Sequence, residues 1–454
     1  MTNFDRAQIP APGPIQPLVF PTIERRRLAN DLAVLTARHG HLPLVTAELV
    51  IDAGAAGDPA RKAGLAYLTV NALETGAGDR TGDQLARELE YLGVELEAEA
   101  SWDALTVRIT APRQRLEPAL ELFAEIVRHP TFPAEEIERL RDEQLATLLQ
   151  RRKDPRALAN DMAIHFIFDP TVPYARPLLG TTASVEGLTR DDVAEFHRTH
   201  FLPNASSLIM VGEIDADTAA ALADRYFGEW PAGQPTTPEF EVIPGVETST
   251  IFVVDRPGSV QSEIRIGDVG VARSHEDYFP LLVMNTILGG AFTSRLNMSL
   301  REKHGFTYGV HSGFAFRRRP GPFVVQTAVA TEVSAAAVRE AFREMTTLRN
   351  DGASEEEVAA ARDYLRGIIP LELQTTDQLA SRLADLVIFD LPDDYFDHYR
   401  DQIAAVTRDD VHRVAREHLR LDRLAIVVVG DADAIAEPLR ELNIAEVQVH
   451  EVEG

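Results

Sequence analysis

Hydrophobic positions along this chain fall into two successive series of strand-like and helix-like blocks. Residues 15–60 are β-rich, and residues 43–52 (PLVTAELVID) carry the β-branched pattern of a strand stopped by Ala-Gly. Residues 61–75 predict a mostly apolar, buried helix, and residues 82–92 a second one stopped by Gly93. Residues 94–110 hold two strand-like runs. Residues 117–129 and 134–152 are long helical patterns, with Pro133 where a first-turn proline is tolerated. Asp154-Pro155 breaks the pattern. Residues 230–245 (WPAGQPTTPEFEVIPG) are rich in Pro, Gly and Thr and predict a linker or exposed connection. The series then restarts. Strands are expected over 250–254 and 262–271, an apolar helix over 278–288, and a helix over 294–303 closed by Gly305. Strands over 306–316 and 321–330 follow, then helices over 333–350 and 354–367.

The restart is a duplication. Residues 188–215 (LTRDDVAEFHRTHFLPNASSLIMVGEID) return without a gap as residues 406–433 (VTRDDVHRVAREHLRLDRLAIVVVGDAD), at an offset of 218 (406 minus 188). Thr189, Arg190, Asp191, Asp192, Val193, His200, Val211 and Gly212 recur as Thr407, Arg408, Asp409, Asp410, Val411, His418, Val429 and Gly430. Identities in register across a helix-then-strand unit indicate two copies of one domain. The copies are assigned to residues 1–230 and 249–454, with a linker over 231–248. Strands and helices mix in blocks, which predicts an α+β fold: two homologous domains, each a largely antiparallel sheet packed with helices.

Composition narrows the chemistry. The net charge of −26 disfavours nucleic acid as a partner. The chain has no cysteine, which excludes disulfides and thiolate metal sites. No run of about 18 apolar residues supports a membrane span. The start, MTNFDRAQIPAPGPIQPL, lacks a basic region followed by an apolar stretch, so a cytoplasmic location is expected.

Several local runs are distinctive: Gly64-Leu65-Ala66, Pro173-Tyr174 with Gly180-Thr181, residues 288–296 (LGGAFTSRL) and residues 300–309 (LREKHGFTYG). Through them the chain resembles the pitrilysin or insulinase-like zinc peptidase family, mitochondrial processing peptidase subunits above all, over about residues 24–440. The resemblance implies that the two domains form half of a clamshell. It also implies a His-x-x-Glu-His motif directly after Gly-Leu-Ala, where two histidines four apart on a helix grip zinc and the Glu serves as base. Here that place reads Tyr67-Leu68-Thr69-Val70-Asn71. Tyr67 and Asn71 replace the histidines and Val70 the base, and neither a phenol, an amide nor an isopropyl group does their work. The family's third ligand, a Glu in the helix before Asp154-Pro155, falls in residues 145–149 (LATLL), with Glu143 the nearest carboxylate. No metal ligand is assigned to this chain. Among its thirteen histidines none pair at four residues' spacing; His39 and His41 lie two apart, and His197 and His200 lie three apart on a helix and mark the fold. Residues 95–101 match the family's substrate-pairing edge strand, with Glu97 at its usual Asn.

The family also places an Arg and a Tyr, seven residues apart, opposite the zinc. Arg301 and Tyr308 match them in type, spacing and surroundings. Each also has a structural explanation. Arg301 falls in the last turn of a helix, where a cation meets the dipole favourably. Tyr308 alternates with Phe306, Val310, Phe314 and Phe316, as a core strand residue would. The run in which they are embedded favours function for both. The resemblance therefore implies a non-zinc-binding subunit of a heteromeric metallopeptidase. It would be inactive alone and hold no cofactor, with zinc in a homologous partner subunit and a peptide as substrate. A non-catalytic scaffold or peptide-binding protein of the same fold is the alternative.

Overall fold

The computed structural model describes residues 13, 19–40 and 42–451. Residues 15–18, at the head of the stretch expected to be β-rich, and His41 lie outside the described residues. The strands are β1 (Ile23–Arg27), β2 (Ala33–Arg38), β3 (Leu44–Ile51), the short hairpin β4 (Gly76–Ala77) and β5 (Arg80–Thr81), β6 (Glu95–Ala100), β7 (Leu105–Pro112) and β8 (Ser206–Gly212). Then come β9 (Thr250–Asp255), β10 (Gln261–Val269), β11 (Val310–Phe314), β12 (Pro322–Ala330), β13 (Ala425–Gly430) and β14 (Glu446–Glu451).

Two six-stranded sheets result, ordered β1-β2-β8-β3-β7-β6 and β14-β9-β13-β10-β12-β11. Five places correspond one to one along these orders. The repeated strands β8 and β13 each lie parallel to one neighbour, β2 or β9, and antiparallel to the other, β3 or β10. The sixth place is filled by β1 in one sheet and β14 in the other. The fold class is the α+β arrangement that the sequence predicts. Central β8 and β13 are buried at every residue, whereas β7 alternates buried with half-buried. Strands covered on both faces read as continuous apolar runs.

What covers the central strands was not legible. The helix Pro155–Ile167 of the first half packs on β10 and β13 of the second sheet. The helix Thr376–Ile388 of the second half packs on β3 and β8 of the first. The halves thus exchange one helix each. Asp154-Pro155, read above as a break, starts a helix: the Asp154 carboxylate accepts from Arg156 N (2.8 Å) and Ala157 N (2.9 Å), and Pro155 takes the first-turn place. The helices Thr376–Ile388 and Tyr395–Ala405 were likewise not anticipated. Among the described residues no helix is long and apolar enough to cross a membrane.

Candidate functional site

The helix Leu65–Asn71 holds the place of the family's metal motif. Asp58 is buried against its start and accepts from Gly64 N (2.9 Å) and Ala66 N (3.1 Å). Burial pushes this carboxyl up to about 7, against the pull of those backbone bonds. Gly64 has φ +93°, and a Cβ there would meet Gln144 Nε2 and Leu179 O at 2.7 Å. Gly180 has φ +74° and abuts Ala63 O. These close approaches explain two of the glycines in the distinctive runs.

The helix offers nothing to a metal. Val70 is 1% exposed and belongs to the core. Asn71 turns its amide back onto the Tyr67 carbonyl (2.7 Å). On the neighbouring helix Ala134–Lys153, Gln144 Nε2 donates to Gly64 O (3.2 Å) and Leu179 O (2.8 Å). Glu143 is exposed and paired with Arg139 at 2.6 Å. A phenol, an isopropyl group and two amides do not fit zinc. The edge strand β6 holds Glu97, whose carboxylate is taken by Arg108 on β7.

His197 and His200, three apart on their helix, are structural. Burial pushes His197 down to about 4, and its Nε2 stands 2.8 Å from Val127 O. His200 Nδ1 stands 3.0 Å from Phe196 O. One grouping was missed: His275, Asp277 and His418 bring ligand atoms within 4.8 Å of one another. With Asp277 and His418 separated by 141 positions, no spacing rule finds it. Its donors are already engaged. Arg413 donates to one Asp277 oxygen (2.5 Å), His418 Nε2 stands 2.9 Å from the other, and Asp277 N donates to His275 Nδ1 (3.1 Å). The grouping is an ion-pair hub rather than a cation cage.

Arg301 and Tyr308 line one cavity of about 530 Å³, with Phe292, Asn297 and Arg265 also on its walls. Arg301 lies in a π-helical turn, Asn297–Lys303, an irregularity frequent at functional sites. Its guanidinium sits 4.4 Å from the centre of the Phe292 ring and 3.6 Å from Glu302. Tyr308 is 97% exposed, which overturns its reading as a core strand residue. The strand expected over 306–316 begins only at Val310. The reason is local. Thr307 Oγ1 donates to Gly309 O (2.8 Å) and accepts from Gly309 N (3.1 Å), so this hydroxyl replaces the ladder. Thr327 Oγ1 holds the loop to β12 through Thr307 Oγ1 (2.9 Å) and Gly309 O (3.0 Å). Asn297 bonds Val310 on both N–H and C=O, fixing the loop to the π turn.

Known proteins share the fold and much of the sequence. The model described as Insulinase (Peptidase family M16) matches residues 33–182, and that described as Peptidase M16 inactive domain matches residues 187–365. A protein of Mycobacterium leprae described as an uncharacterized zinc protease is 27% identical over 424 residues, 92% of this chain and 94% of the relative. The Helicobacter pylori protein named Non-peptidase homolog YmxG is 22% identical over 396 residues, 86% of this chain and 90% of the relative. The crystal structure of a peptidase M16 inactive domain from Pseudomonas fluorescens matches with a TM-score of 0.85 and 27% identity, over 90% of this chain and 98% of that one. By fold, by sequence over nearly its whole length and by its distinctive runs, the chain belongs to the insulinase-like M16 peptidase family, without that family's zinc motif.

Proposed function

We propose that this chain is the zinc-free subunit of a heteromeric zinc peptidase. In this reading Arg301 and Tyr308 reach into an active site whose metal ligands belong to a homologous partner with an intact His-x-x-Glu-His motif. The observation that carries it is Tyr308: an exposed aromatic ring on a loop pinned by Thr307, Thr327 and Asn297, at the edge of the cavity that Arg301 also lines. A large exposed ring held on a fixed loop suits contact with something outside the chain. The phenol and the guanidinium donate hydrogen bonds to a substrate carbonyl. A donor aimed at a developing oxyanion contributes about 10²–10³ in rate. The substrate in this reading is a peptide enclosed between the two subunits.

The test uses the complex of this chain with a zinc-motif homologue from the same organism. Arg301→Ala and Tyr308→Phe should each lower peptide turnover by roughly ten-fold or more while the mass of the complex is unchanged. Full turnover with both variants ends this reading.

A non-catalytic scaffold is the second reading. It is favoured by the engagement of Arg301 with Phe292 and Glu302, and by the non-peptidase naming of the Helicobacter pylori relative. It predicts assembly or peptide binding with no gain in hydrolysis when the zinc subunit is supplied.

A further inference from the structure

A second cavity, of about 400 Å³, shares no wall residue with the one that Arg301 and Tyr308 line. It lies where the exchanged helix Thr376–Ile388 ends, between Asp52 just after β3 and the loop that joins β11 to β12. Its wall includes Arg273, which is only 6% exposed. The centre of this guanidinium sits 3.6 Å over the Tyr278 ring and 4.9 Å from the centre of the Tyr395 ring. Aromatic faces answer part of the positive charge. They accept none of the N–H donors that fan out in the guanidinium plane.

Those donors have no acceptor. Among the described residues the Arg273 side chain forms no ion pair and no hydrogen bond. Asp385 attracts it but is bonded to Arg382 (3.1 Å). The Tyr395 hydroxyl is near enough to feel the charge and still hydrogen-bonds nothing. None of the Arg273 nitrogens is closed off from solvent-sized groups. Arg317 makes the contrast: it packs on Trp102 and Tyr174 in the same way, but its unpaired Nη1 is sealed. Buried arginines are ordinarily paired, as Arg265 is with Glu263. The cavity's own carboxylates do not meet the need. Asp52 is taken by Arg318, whose Nε also donates to Ile388 O (2.6 Å). Asp390 is exposed and forms no ion pair among the described residues. A buried cation with open donors and no internal anion points to an anion from outside. A carboxylate matches the guanidinium fork with two oxygens. Asp390 and the net charge of −26 disfavour a doubly charged phosphate. The cavity is larger than a bare carboxylate, and Ile388 and Phe389 on its wall suit an organic body.

We infer that this cavity binds the carboxylate of an organic molecule, with Arg273 donating to its oxygens. A free organic acid and the carboxyl end of a peptide both supply that group. The site is independent of the peptidase reading, since it uses neither Arg301 nor Tyr308.

The test is calorimetric titration of the full chain at low salt with 4-phenylbutyrate and with the dipeptide N-acetyl-Ala-Phe, each against its amide. Saturable one-to-one binding of at least one carboxylate is expected, and the tighter of the two identifies the source. The matching amide should bind roughly ten-fold more weakly or worse. Arg273→Gln should weaken carboxylate binding roughly ten-fold or more. Asp390→Asn removes a like charge from the wall and should tighten it about two-fold. Asp390 has φ +51°, which asparagine tolerates, so this variant carries the test if Arg273→Gln does not fold. No saturable binding of either carboxylate, equal binding of the amide, binding undiminished in folded Arg273→Gln, or binding not tightened in Asp390→Asn overturns the inference.

Discussion

Glu48 and Arg265 stand at the same place in the two sheets and carry opposite charges. Glu48 on β3 pairs with Ile209, and Arg265 on β10 pairs with Val427; those partners differ by 218 (427 minus 209), the offset of the repeat. Both side chains are buried. Glu48 interacts with Asp385 of one exchanged helix, and Arg265 bonds Asn160 of the other.

Glu48 makes stability fall with rising pH. Burial pushes its carboxyl up to about 7, with Arg108 opposing and Asp385, Glu99 and Glu97 adding to the rise. Unfolded, the group releases its proton near its ordinary value of 4.5. Between these values the unfolded chain binds fewer protons than the folded one, so stability declines as pH rises from about 4.5 to about 7 and then levels. Glu48→Gln should raise the melting temperature at pH 8, by up to about 3 kcal/mol of stability. The gain should fade toward pH 4.5. An equal gain at both ends contradicts this account.

Arg265 is 2% exposed and fully committed. Its Nε donates to Asn160 Oδ1 (2.7 Å), and one terminal nitrogen donates to Glu263 (2.9 Å) and Ile264 O (2.9 Å). Arg265→Ala strands Glu263 and Asn160, and should cost about 3–5 kcal/mol in chemical denaturation. A loss below about 1 kcal/mol means that Arg265 does not anchor the exchanged helix.

At the hub of His275, Asp277 and His418, burial opposes the charge of Asp277, but the hydrogen bonds from Arg413 and His418 outweigh it and hold the carboxyl below its usual range. Its contribution is present above the ordinary value of 3.8 and is lost as pH falls through the lowered one. Asp277→Asn should therefore destabilise the chain at neutral pH by about 2–3 kcal/mol, less than a fully buried pair because Arg413 is partly exposed. Zinc added to the wild-type chain should leave its melting temperature unchanged; a rise that chelator reverses means that metal displaces Arg413.

The repeated Thr189 and Thr407 each cap a helix reciprocally with an aspartate, Asp192 or Asp410. Thr189→Ala and Thr407→Ala should each cost about 1 kcal/mol, and the double variant their sum. A double loss well short of that sum means that the two caps are coupled.

The sequence made legible whatever is local. The repeat unit, the strand at 44–51 and the emptied metal motif all rest on neighbouring residues. The helix Pro155–Ile167 was missed because its apolar residues answer to β10 and β13, which begin at residues 261 and 425, far downstream. The strand expected over 306–316 is the opposite failure. Its alternating pattern was real, but the Thr307 hydroxyl bonds Gly309 in place of the ladder, so the strand starts at Val310 and Tyr308 is left exposed. Arg301 and Tyr308 were found from their embedding run; that they line one cavity required the fold.

The traded helices bear on ancestry. A lone ancestral copy would have had no neighbour from which to borrow the helix that roofs its central strands. Its simplest stable form is a twofold dimer that swaps this segment between chains. Gene fusion would then have made the swap permanent and freed each copy to drift, so that one place came to hold a glutamate and its twin an arginine. Cutting the chain between the copies should leave two fragments that fold only when mixed.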